Sequence, residues 1–120
     1  MSISNYNNKG NTFTFKAGAD FQYFKLKDFP QMIDQNVGKK IRGFFISHGR
    51  YGEGAVLVTD DCYINLPAHM THKVKMIIED PETIQQINEG RAGFQIYSFD
   101  NSNGGKSYSV RFIDMEPLPF

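Results

Sequence analysis

The chain has 120 residues, 40% hydrophobic and 22% charged, and its 13 basic and 13 acidic side chains cancel to no formal net charge. That length suffices for one domain with a real core, whereas zero net charge argues against a general polyanion binder and leaves room for a modest basic patch on an otherwise neutral protein. Cys62 is the sole cysteine, which excludes an internal disulfide and fits a reducing cytosol; no apolar run reaches the ~20 residues of a membrane span, and residues 1–11 lack a signal-peptide core, so a cytoplasmic protein is expected.

Residues 1–11 (MSISNYNNKGN) are rich in Asn, Ser and Gly and read as a flexible arm ahead of a single domain over 12–120. Residues 12–16 (TFTFK) alternate and predict a short strand with Phe13 and Phe15 on one face. Residues 20–27 (DFQYFKLK) predict an extended segment with Phe21, Tyr23, Lys25 and Lys27 on one face and Phe24 and Leu26 nearer the other; Pro30 breaks it. Residues 39–51 (KKIRGFFISHGRY) give the longest strand signal, with Gly43 or Gly49 able to permit a bend. Strands follow at 54–59 and 62–66, separated by the turn residues Asp60 and Asp61. From Ala68 the period changes. Met70, Val74, Ile77 and Ile78 form a helical stripe. Asp80, Pro81 and Glu82 then supply an N-cap, a first-position proline and a first-turn acid for a second helix, which Gly90 closes. Residues 92–99 and 106–114 predict two strands joined by the turn-rich loop 100–105 (DNSNGG).

Three strands, a helical stretch and two strands is the chain order of a five-stranded OB-fold barrel. The expected fold is therefore all-β with a helical insertion and extra N-terminal strands, its barrel core spanning about residues 39–114. In such a barrel the long first strand bends and pairs in both halves.

Strand alternation then selects candidate binding residues. Lys40, Arg42 and Phe44 fall on one face of the first barrel strand, opposite Ile41, Gly43 and Phe45. Tyr63 opposes Cys62 and Ile64. Tyr97 and Phe99 oppose Phe94 and Ile96, and Arg111 opposes Val110 and Phe112. The 11 Phe and 6 Tyr exceed what a small core needs, and rings interleaved with cations are what hold single strands, by stacking bases and tracking phosphates. Arg50 and Tyr51 sit in a Gly-flanked loop (HGRYG) that lets backbone approach a ligand, and Lys106 stands on the rim. The nucleic-acid-binding set is thus Lys40, Arg42, Phe44, Arg50, Tyr51, Tyr63, Tyr97, Phe99, Lys106 and Arg111. The glycines do not make a phosphate loop. His48, His69 and His72 are scattered and Cys62 has no CxxC partner, so neither metal nor cofactor is expected. The carboxylates are explained by turns and helix capping, so no enzyme activity is expected.

Residues 42–54 (RGFFISHGRYGEG), 64–70 (INLPAHM) and the run from DPETIQQINEGRAGFQIY to KSYSVRFID within 80–114 resemble single-stranded DNA-binding proteins of phages of Gram-positive bacteria, the lactococcal-phage type, a diverged OB-fold group. The likeness covers roughly two-thirds of the chain. It implies a role in phage DNA replication or recombination in the host bacterial cytoplasm, single-stranded DNA as ligand, and a recombinase or replication protein as partner. A bare barrel has a small footprint, so a homodimer is expected. Residues 114–120 (DMEPLPF) look like a shortened acidic Pro-Phe tip of such proteins, or a tail that packs on the barrel. The rival expectation is a non-catalytic protein-interaction module, favoured by the neutral charge.

Overall fold

The computed structural model describes residues 13–50 and 52–115. In chain order they form β1 (Tyr23–Lys25), a 3-10 turn (Leu26–Asp28), β2 (Lys39–Lys40), β3 (Gly43–Gly49), β4 (Gly52–Val58), β5 (Tyr63–Asn65), a second 3-10 turn (Ala68–Met70), α1 (Thr71–Ile78), α2 (Pro81–Asn88), β6 (Ala92–Asp100) and β7 (Lys106–Asp114). The protein is mostly β-sheet with a helical insertion between β5 and β6. One sheet has the order β1-β5-β4-β3 and the other β2-β6-β7, and no closed barrel is formed among the described residues. All strand pairs are antiparallel except β1 with β5. Among the described residues no helix is long and apolar enough to cross a membrane.

The segment read as one long strand serves both sheets. Lys39 and Lys40 pair with Phe94 and Gly93. Ile41 N–H donates to Ala92 O at 3.0 Å, and Arg42 N–H donates to Val58 O at 2.7 Å. From Gly43 onward the partner is β4. The chain therefore leaves one ladder and joins the other within two residues, and the bend resets the alternation. Ile41 and Phe44, three apart, are both core residues. This corrects the assignment of Phe44 to a binding face: it is 5% exposed, with its ring centroid 6.4 Å from Phe13 and 5.8 Å from Phe112. Phe45 takes the outward position instead.

Two further expectations change. Residues 13–16 form no strand; Phe13 instead lays its ring on Gly43, where an added Cβ would lie 3.2 Å from it. The extended run at 20–27 stops two residues early, because the Asp28 carboxylate accepts from Lys25 N–H at 2.8 Å and tightens the chain into the 3-10 turn. Residues 1–12, Tyr51 and 116–120, and with them the arm and tail readings, lie outside the described residues.

The second helix forms as its caps dictate. Asp80 accepts from Glu82 N–H at 3.1 Å and from Thr83 Oγ1 at 2.8 Å, Pro81 opens α2, and Gly90 closes it at φ +76°. Met70, Val74 and Ile87 face the core beside Leu57, Ile64, Phe94 and Ile96. Each such side chain contributes about 1.5–3 kcal/mol of burial. This core holds the two sheets at fixed positions beneath the surface residues.

Candidate nucleic-acid interface

The four-stranded sheet carries a cluster of rings. Register places Tyr63 opposite Val58 and beside Tyr23, and Asn65 opposite Val56 and beside Lys25. Phe45 stands opposite Val56, on the same face. Phe44, Leu57 and Ile64 point the other way, into the core. Tyr63 is the hub: its ring centroid lies 4.8 Å from Tyr23, 5.5 Å from Phe21 and 5.5 Å from Phe45. Phe15 continues the cluster at 6.2 Å from Phe21. Tyr23 is 56% exposed, so this is a surface of rings rather than a second core. Phe13, Phe15, Arg42, Phe45, Val58 and Tyr63 contribute to the lining of a hollow of about 210 Å³ beside the hub.

Arg42 reaches this cluster, its guanidinium 5.4 Å from the Phe15 ring centre. Its Nε also donates to Asp60. The neighbouring Asp61 lies 3.5 Å from Lys39 Nζ. Thus the two adjacent acids of the β4–β5 turn each hold one cation of the bend. Thr59 organises the turn. Its hydroxyl donates to Asp61 Oδ1 at 3.0 Å and its oxygen accepts from Cys62 N–H at 3.1 Å. The Thr59 hydrogen bond, reinforced by Lys39, holds the Asp61 carboxyl below its ordinary range. Burial pushes the Cys62 thiol up, which leaves it a packing group rather than a nucleophile.

A second ring-and-cation ledge lies on the three-stranded sheet. Phe94, Ile96 and Val110 are buried while Tyr97, Phe99 and Arg111 face out, as their alternation predicts. The Arg111 guanidinium sits 5.4 Å from the Tyr97 ring centre, and Tyr97 is 6.1 Å from Phe99. His69, from the second 3-10 turn, comes within 6.3 Å of Phe99. Its Nε2 is 3.0 Å from Ser109 Oγ, and that hydroxyl donates to Met70 Sδ at 3.4 Å.

The remaining sequence-selected residues are dispersed. Lys40 runs along Gly90 at the end of α2, where the helix dipole favours a cation. Lys106 pairs with Asp100 at 3.2 Å. Arg50 is exposed in the β3–β4 hairpin, and Tyr51 is outside the described residues. The described candidates therefore resolve into a Tyr63–Arg42 group and a Tyr97–Phe99–Arg111 group on different sheets, with Lys40, Arg50 and Lys106 away from both and Phe44 in the core.

Sequence reasoning missed what joins the two groups. Between the sheets lies a cleft of about 570 Å³ lined by Lys25, Leu26, Lys27, Asn65, Leu66, Pro67, His69, Phe99, Ser107 and Tyr108. The available signal was the alternation of residues 20–27, which put Phe21, Tyr23, Lys25 and Lys27 on one face. Among the described residues no grouping of His, Cys, Asp and Glu could hold a metal ion.

Comparison of the chain with protein-family models, with curated proteins and with solved structures finds no match in any of the three.

Proposed function

We propose that this protein binds single-stranded DNA without sequence preference, as a passive coat on transient single strands in phage replication or recombination. The observation that carries the reading is the surface ring cluster centred on Tyr63, with Phe21, Tyr23 and Phe45 around it, Phe15 beyond Phe21, and Arg42 at its margin. Tyr23 is 56% exposed, so the platform is open to a ligand; every base has a π-face, so such a platform is tolerant of sequence and contributes about 1–3 kcal/mol per stacked base. The Tyr97–Arg111 ledge offers a second contact patch of the same chemistry.

The fold reading that goes with this is an OB-fold opened at one seam. Its support is the segment 39–49, which feeds both sheets, and the helices placed between the third and fourth barrel strands. On this reading binding needs no nucleotide, metal or covalent step. Two copies acting as a homodimer would raise avidity over the small footprint of one, and a recombinase or replication protein would be the partner served.

The rival is a protein-interaction module. It draws on the pairing of Arg42 and Lys106 with carboxylates, which leaves fewer cations for phosphates. Fluorescence anisotropy with labelled dT oligonucleotide at about 50 mM salt, beside duplex and RNA controls, separates the two. Saturable binding to dT without magnesium is expected, with a shallow salt slope. Absence of binding, or a preference for duplex, would favour the rival.

A further inference from the structure

We propose that the cleft between the two sheets is a nucleotide site, in which one nucleotide of the bound strand leaves the stack and inserts its base between the sheets. The proposal rests on the single-strand reading above and adds to it a site of different construction. The ring cluster on the four-stranded sheet is an open platform; the cleft is a concavity of about 570 Å³, within the range of about 300–1,000 Å³ found for small-molecule sites. Its lining is divided by chemistry. Lys25 and Lys27 stand on one wall, and His69, Phe99 and Tyr108 are the rings that line it. No carboxylate lines it among the described residues, and neither lysine is in an ion pair there. The nearest acid on that turn, Asp28, is turned to the backbone N–H of Lys25.

Position gives the second argument. Tyr23 and Lys25 share a face of β1, and Tyr63 and Asn65 share the matching face of β5. A strand stacked on Tyr23 and Tyr63 therefore meets Lys25 and Asn65 next, at the mouth of the cleft. Beyond it Phe99 touches Tyr97, over which Arg111 lies. The cleft lies on that path, so a strand running from one patch to the other crosses it. Two lysines that make no ion pair among the described residues suit the phosphates on either side of an inserted base, Asn65 offers an amide donor and acceptor to its edge, and Phe99 offers a ring to its face.

Two measurements on the full chain test this. The first is anisotropy with labelled dT oligonucleotide for wild type and for the Lys25→Gln/Lys27→Gln variant, with melting curves to show that both are folded. The variant should bind roughly tenfold more weakly, and its salt slope should fall by about two ions. The second uses the unaltered chain, so no folding defect enters: oligonucleotides carrying 5-iodouracil are photo-crosslinked and the adducts mapped by mass spectrometry. Adducts on Phe99, Tyr108 or His69 are expected. Wild-type affinity in the double variant, together with adducts confined to Tyr23 and Tyr63, overturns the cleft site and leaves the single-strand reading standing. Failure of the wild type to bind any single strand overturns both.

Discussion

Tyr23 and Tyr63 are opposite partners in the parallel β1–β5 ladder, and their rings lie 4.8 Å apart at a 38° tilt. The pairing fixes two rings from segments forty residues apart as one surface. Tyr63 is half-buried under Phe21 and Phe45, while Tyr23 is 56% exposed. The two should thus report different things when truncated.

Tyr23→Ala should weaken single-stranded DNA binding by roughly 1–3 kcal/mol and leave the melting temperature nearly unchanged, because an exposed ring stacks on a base but holds little of the fold. Tyr63→Ala should weaken binding by a similar amount and also lower the melting temperature, since three ring contacts go with it. Anisotropy and thermal melts on the same preparations check both. Equal melting losses in the two variants would show that the cluster is structural throughout.

Phe44→Ala should behave in the opposite way. A core ring removed without collapse costs about 3–5 kcal/mol, so urea denaturation should show a large loss of stability. Any surviving folded protein should bind DNA like wild type, because Phe44 faces Phe13 and Phe112 and not the surface. A stable variant with weakened binding would return Phe44 to the interface.

The error over Phe44 shows where sequence pattern stops. In β6 and β7 the alternation is regular over nine residues, and the outward placing of Tyr97, Phe99 and Arg111 was legible from it. The helix ends were legible too, since Asp80, Pro81 and Gly90 act through local backbone chemistry. That residues 39–49 would pair in both halves was expected from the barrel order, but the residue at which the chain changes partner is set by Ala92 and Val58, which lie far along the sequence. A period-two pattern carried through that point inverts every side chain beyond it. Residues 13–16 alternate as a strand should, yet Phe13 and Phe15 find Gly43 and Phe21 instead of a ladder. The cleft was illegible for the same reason: Lys25 and Lys27 share its lining with Phe99 only because β1 adds to β5, a long-range pairing with no local signature.

Arg42 is held by Asp60, so phosphate must compete with a carboxylate for it. Asp60→Asn should tighten binding to dT and steepen the salt slope by about one ion, as a guanidinium is released to the strand. The stability cost of losing a pair this exposed is about 0–1 kcal/mol. Asp114→Asn is the control: it removes the same charge near α2, where Gln86 Nε2 donates to it at 2.7 Å. Equal gains in the two variants would mean that net charge alone acts and that Arg42 makes no phosphate contact.

The β4–β5 turn should also make stability depend on acid pH. Asp61 accepts from the Thr59 hydroxyl at 3.0 Å and lies 3.5 Å from Lys39 Nζ, and its carboxyl is held below the ordinary value of 3.8. The folded state therefore binds this proton less readily than the unfolded chain. The stabilisation is fully present above the unfolded carboxylate value and is lost as pH falls through the lowered folded value. Asp61→Asn cannot ionise, so it lacks the contribution at every pH. The gap in melting temperature between wild type and Asp61→Asn should be widest near about pH 7 and should close by about pH 2. Asp34, lowered by two hydrogen bonds from Ser98, gives a second site with the same sign. In Thr59→Val the carboxyl of Asp61 should return toward its ordinary value, and most of the pH-dependent gap between Thr59→Val and the Thr59→Val/Asp61→Asn double variant should vanish. A gap that stays constant from neutral to acid pH in the wild-type background would show that Asp61 draws no ionic stabilisation from the turn.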